Sequence, residues 1–117
     1  MNLQQIIERL NLTPLTQTDD FNQIVPTSGY SSDLLSCVMA GAKPKCLWIT
    51  LQAHVNIVAV AALLDMSAVI ITEDAQPDPA TIKKAQDQSI TLLSSSRPSF
   101  EVIGQLWELG IRSSETG

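Results

Sequence analysis

The sequence predicts an α/β domain. It should have three layers, α/β/α, around a mostly parallel sheet of about four to five strands with helices on both faces. Three observations predict it. The runs "CLWITL", "SAVIIT" and "ITLL" are continuously apolar rather than alternating, as in strands buried on both sides. Helix-length segments stand between them, as the crossovers of parallel strands require. A chain of 117 residues, 44% hydrophobic, suffices for one core and one domain.

The elements follow in order. Leu3, Ile6, Ile7 and Leu10 make one face of a first helix, which Asn11 can end and Pro14 cannot continue. Thr16–Asn22 reads as a polar loop. Ile24 and Val25 should begin a strand that Ser28-Gly29 breaks, with Gly29 expected at positive φ. Asp33 is the expected N-cap of a helix over "LLSCVM" that stops at Gly41. The strand "CLWITL" follows, then a helix from His54 to Leu64, apolar nearly all round and so expected to be buried on more than one side. After "SAVIIT", Asp78-Pro79 is an N-cap with proline at the first helical position, opening a helix to about Gln88. Pro98 opens the last helix, with Phe100, Ile103, Leu106 and Trp107 on its apolar stripe and Gly110 past its end. Ile49, Val58, Ala61, Val69, Ile70 and Leu92 are the expected core. The domain should span 1–111, with 112–117 a flexible tail.

Seven basic against twelve acidic residues give a formal charge of −5, and no basic face suggests nucleic acid. No basic amphipathic stretch suggests a membrane surface, and the apolar run Ile57–Leu64 is too short to cross a bilayer. The start "MNLQQIIERLNL" shows no targeting pattern, so a cytoplasmic location is expected. Cys37 and Cys46, nine apart with no CxxC, are expected to be buried thiols in a reducing compartment.

The segment "TSGYSSDLLSCVMAGAKPKCLWITLQAHVNIVAVAALLDMSAVIIT", with "PDPATIKKA" and "SSSRPSFEVIGQL" after it, resembles the DRTGG domain family. Gly29-Tyr30, Ser32-Asp33-Leu34-Leu35-Ser36, Trp48-Ile49-Thr50 and Gln52, His54, Asn56 carry the likeness. Ser28 stands where the first of the name-giving glycines would be, and Gln23-Ile24 replace the acid–base pair. The resemblance implies a three-layer module related to the N-terminal domain of HPr kinase. Such modules sit beside CBS domains in some pyrophosphatases, inside some phosphate acetyltransferases, or stand alone near hydrogenase or kinase-like genes. It therefore implies a regulatory or assembly unit, a homodimer, and a partner enzyme or kinase-like protein. Trp107 and Leu109, large and apolar near the chain end, add to the expectation of a dimer.

In an open parallel sheet, ligands bind where strands end and helices begin. Gly29–Asp33, Leu51–His54, Glu73–Asp78 and Ser94–Arg97 should lie on that edge. Candidate ligand contacts are Gly29, Tyr30, Ser32 and Asp33 on the first, Gln52, His54 and Asn56 around the second, and Ser95, Ser96 and Arg97 on the last. Gln52, His54 and Asn56 interrupt apolar sequence and read equally as a polar helix start or as a site. Serines and a guanidinium ahead of a helix suit an anion, or simply cap it. His54 has no second His or Cys at a ligand spacing, so no metal is expected. As a base it would need an orienting Asp33 or Asp74. No nucleotide fingerprint or activated nucleophile stands out, so no catalytic residue and no cofactor is assigned. The sequence favours a non-catalytic regulatory module that binds a partner or small ligand at this edge, over an accessory subunit or enzyme of phosphoryl or acyl transfer.

Overall fold

The computed structural model describes residues 1–114. In chain order it contains α1 (Leu3–Leu10), β1 (Thr13–Pro14), a single 3-10 turn (Phe21–Gln23), β2 (Ser28–Ser31) and α2 (Leu35–Gly41). There follow β3 (Cys46–Thr50), α3 (Asn56–Leu63), β4 (Ala68–Ile71), α4 (Pro79–Asp87), β5 (Leu92–Ser94) and α5 (Ser99–Glu108). The five strands lie in the order β1-β5-β4-β3-β2. β2 to β5 are parallel, and β1 runs antiparallel to β5.

The continuous apolar runs explain the layers. Leu47, Ile49, Ala68, Ile70 and Leu93 point to one face, where α1 and α5 cover them. Trp48, Val69, Ile71 and Leu92 point to the other, where α2, α3 and α4 cover them. The three crossover helices share one face because successive crossovers of one hand step along the sheet in one direction. All six expected core residues are buried. Asp78 accepts the Thr81 N–H at 2.8 Å and caps α4, as expected. Asn11, Asp65, Ser89 and Gly110 close α1, α3, α4 and α5 at positive φ. Each of those ends carries the backward N–H bond of a left-handed helix stop, such as Ile90 to Ala85 and Ile111 to Leu106.

Several expectations are corrected. The first parallel strand is Ser28–Ser31, with Ile24 and Val25 ahead of it. Pro26 has no N–H for a ladder, so pairing begins only beyond it. Gly29 therefore lies inside a strand opposite Leu47, and its φ is not positive. Thr13–Pro14, within a stretch read as leading into a loop, forms the antiparallel edge strand. Thr16, expected in a polar loop, is buried, with its hydroxyl between the Ile90 carbonyl and the Leu92 N–H. On α5 the buried residues are Val102 and Leu106, while Phe100 is 90% exposed and Trp107 half-exposed. Residues 100, 103 and 107 share one helical stripe and 102, 106 and 109 the next, and period alone does not choose between them. The outer face of α3, at Ala59, Ala62 and Leu63, is open to solvent rather than buried. Cys46 is buried but Cys37 is exposed, and burial pushes the Cys46 thiol pKa up. Beyond α5 the chain is irregular through Ser114; the rest of the tail expected at 112–117 lies outside the described residues.

Candidate functional site

Strand β3 ends at Thr50, whose hydroxyl and the next N–H, on Leu51, both point toward the loop after β2. Asp33 meets them: one carboxylate oxygen accepts both, each at 2.8 Å. Gln52 completes the lock, its side-chain amide donating to the Asp33 carbonyl at 3.0 Å and its N–H to the Thr50 hydroxyl at 3.1 Å. Asp33 is thus not the cap of α2. That position falls to Leu34, which makes no side-chain cap bond. Ser32 takes the Leu34 N–H on its hydroxyl, and its carbonyl accepts the Trp48 indole N–H.

His54 and Asn56 stand beside this lock, both exposed. The His54 Nδ1 accepts the Asn56 N–H at 3.2 Å, so the ring opens α3 and keeps a donor on Nε2. Neither Asp33 nor Asp74 hydrogen-bonds His54. Asp33 serves Thr50 and Leu51, and Asp74 accepts the Gln76 amide. The Asp78 carboxyl is held below its usual range, first by the Thr81 N–H, with a small contribution from the His54 charge.

The chain passes from β4 to α4 on one face and from β5 to α5 on the other. The crevice of a parallel sheet is expected between those two strand ends. Here it is closed. The Glu73 and Asp74 N–H groups donate to the Arg97 and Ser95 carbonyls at 2.9 and 3.1 Å. Glu73 and Asp74, both at positive φ, form a tight turn closed by Ala75 N–H to Thr72 carbonyl. That turn brings the Glu73 carboxylate to the Ser99 N–H at 2.6 Å, at the start of α5. The Thr72 and Ser99 hydroxyls bond beneath it. Ser95 is buried with its hydroxyl on the Arg97 N–H, Ser96 is exposed, and the Arg97 guanidinium turns along α5 to Gln105 and Glu101.

The ten residues singled out from the sequence therefore separate. Ser32, Asp33, Gln52, His54 and Asn56 gather at the ends of β2 and β3. Ser95, Ser96 and Arg97 follow β5, three strand spacings from β2, roughly 14 Å away. Gly29 and Tyr30 lie within β2. Tyr30 packs on α2 with its hydroxyl donating to the Cys37 carbonyl at 3.0 Å. With Ile49, Trp107 and Ile111 they line a small groove of about 120 Å³ between β2, α5 and the segment after α5, whose Arg112 carbonyl takes the Gly29 N–H. Sequence reasoning missed Thr50 as the hub of the lock and Glu73 as the cap of α5. A threonine ending an apolar run signals the first weakly, and a carboxylate serving a distant helix leaves no local pattern. Among the described residues no His, Cys, Asp or Glu side chains group as metal ligands, and no helix is long and apolar enough to cross a membrane.

Parallel strands between two helical layers, with cross-linked loops at their carboxyl ends, define a small three-layer α/β/α module. Its fold is DRTGG-like. The chain superposes on the regulatory region, CBS and DRTGG domains, of a Clostridium perfringens pyrophosphatase, whose structure contains the activator diadenosine tetraphosphate. The TM-score is 0.73, at 17% identity over 90% of this chain. The chain spans 45% of that structure's length. No family model and no curated protein matches the chain by sequence.

Proposed function

We propose that this chain is a non-catalytic regulatory or assembly module that engages a partner protein, or a small ligand, at the carboxyl edge of its sheet. One observation carries the reading. The Asp33–Thr50–Leu51–Gln52 lock makes two loops rigid, and next to it the exposed Asn56 amide and His54 Nε2 have no partner among the described residues. Unspent hydrogen-bonding groups on a preorganised edge suit recognition. The same geometry speaks against catalysis. The hydroxyls of Ser32 and Ser95 serve backbone N–H groups, and among the described residues no carboxylate hydrogen-bonds His54.

The pyrophosphatase region's activator is a polyphosphate. A polyphosphate at this edge would meet the carboxylates of Asp33, Glu73, Asp74 and Asp78, and α5 already carries Glu73 on its first N–H. The reading therefore favours a partner chain or an uncharged polar ligand. We also propose a homodimer built on the half-exposed Trp107.

The test is an NMR titration of the whole chain with diadenosine tetraphosphate, ATP and acetyl phosphate, and with the proteins encoded on either side of it. Expected are shifts centred on Gln52, His54 and Asn56 with a partner, and no turnover. Shifts centred instead on the groove between β2 and α5 would overturn the placement. Hydrolysis of ATP or acetyl phosphate would favour the phosphoryl- or acyl-transfer reading.

A further inference from the structure

At the carboxyl edge the loop carboxylates turn inward, and large apolar side chains stand exposed between them. Asp33 turns its carboxylate onto a backbone N–H of the neighbouring loop, and Glu73 and Asp78 turn theirs onto N–H groups in the first turns of α5 and α4. The positions that would ordinarily carry a polar cap are apolar: Leu34 before α2 and Pro98 before α5, neither making a side-chain cap bond. Leu34 is 61% exposed, Leu51 45%, and Phe100, in the first turn of α5, 90%. In strand order these three follow β2, β3 and β5, so they run along one edge of the sheet. An exposed leucine needs no explanation singly, but Leu34 and Leu51 flank the lock between the loops after β2 and β3, and Phe100 stands in the first turn of the helix that Glu73 caps, so each cross-linked pair of loops carries an apolar tip.

Charge selects what covers it. The same loops carry Asp33, Glu73, Asp74 and Asp78, and their one arginine, Arg97, is already turned to Gln105 and Glu101. The lysines lie elsewhere: Lys43 and Lys45 in the turn from α2 to β3, at the opposite edge, and Lys83 and Lys84 inside α4. An edge that is apolar at its tips and anionic between them is complementary to a chain that is apolar and cationic.

We propose that this edge docks a segment of a partner protein in which Lys or Arg side chains alternate with exposed apolar ones. The apolar groups seat against Leu34, Leu51 and Phe100, and the cations lie over Asp33, Asp74 and Asp78. The proposal rests on the carboxyl edge being the binding edge, and it adds the chemistry of the partner. It also assigns a role to Leu34, Leu51 and Phe100, none of which the polar pattern of the sequence singled out.

The probe is a short synthetic peptide with Leu and Lys at helical spacing, beside a control with Glu in place of every Lys. It is titrated into the isotopically labelled whole chain. Expected are shifts confined to the loops after β2, β3, β4 and β5, weakening in high salt, and no binding of the Glu peptide. Leu51→Ser with Phe100→Ser should lower affinity for the Lys peptide roughly tenfold, with an unchanged circular dichroism spectrum. Leu34→Ser is an independent second variant with the same expected direction. Binding spread over the acidic surface, or undiminished in both variants, overturns the proposal. So does light scattering in which the serine variants split a dimer, because the edge would then be covered by a second copy. A small molecule that shifts Gln52, His54 and Asn56 while the Lys peptide does not bind would overturn this inference and leave the proposed function standing.

Discussion

Tyr30 and Gly41 show how one residue explains another. A Cβ on Gly41 would lie 2.5 Å from the Tyr30 hydroxyl and 2.7 Å from its ring, so glycine is required there by a neighbour and not by a turn. Gly41→Ala should cost about 1–3 kcal/mol through overpacking, and most of that cost should vanish in a Tyr30→Leu background. Denaturant titration of the four chains in the cycle measures it. Gly29 has a similar reason. Its Cβ would approach the Ile111 side chain at 3.2 Å, and its N–H donates to the Arg112 carbonyl at 2.9 Å. At His54 and Asn56 the only bond between the two is Nδ1 to a backbone N–H at an exposed helix start. His54→Ala with Asn56→Ala should therefore leave the fold intact, at a cost of about 1 kcal/mol or less. The same double variant should lose partner binding. Thermal unfolding and the titration above read the two outcomes separately, and failure to fold would make these residues structural caps.

Four of the helices stop in the same left-handed way, but the helices start by different devices. α4 is self-contained, with Asp78 as cap and Pro79 in its first position. Because the Thr81 N–H holds the Asp78 carboxyl below its ordinary 3.8, the unfolded chain binds that proton more readily than the folded one. The cap's contribution is therefore complete above about 3.8 and is lost as pH falls through the lower folded value. Stability measured against pH should decline in this acid range, and less steeply in Asp78→Ala; parallel curves would show that the cap does not couple to protonation. α5 is the opposite case. Its first N–H is taken by Glu73 from the loop after β4, twenty-six positions away in sequence. That reach depends on a turn with two successive non-glycine residues at positive φ, a conformation that costs free energy and persists only when surroundings over-determine it. Here four bonds between the two loops do so.

At the scale of the molecule, two cores on either side of one sheet share its strands, so damage to one face reaches the other. Val58, on the inner face of α3, is buried in one cluster with Trp48, Val69 and Ile71. Val58→Asp would place an unpaired charge there at a cost above about 4 kcal/mol, a large part of a small domain's stability. It should abolish cooperative unfolding, and a normal melting curve would contradict the assigned packing. For the proposed homodimer, light scattering at tens of micromolar should give twice 12.7 kDa, and a monomer mass would count directly against it. The sequence by itself determined the succession along the chain of parallel strands and crossover helices, the buried set on β3 to β5, and the cap of α4; their order across the sheet came from the structure. Those are written in continuous apolar runs, in period and in adjacent residues such as Asp78-Pro79, and local physics reads them. It also placed Asp33, Gln52 and His54 at the carboxyl ends of the strands, because strand ends follow from strand runs. Only the tertiary structure decided that Asp33 turns from its own helix to Thr50 and Leu51, and that Glu73 caps α5. It alone decided which of two overlapping stripes α5 buries, and that the loops after β2 and β5 stay apart. Each of those outcomes is a competition between a local partner and a distant one. The winner is set by which donors the packed sheet leaves exposed and within reach, a quantity that exists only after the chain has folded.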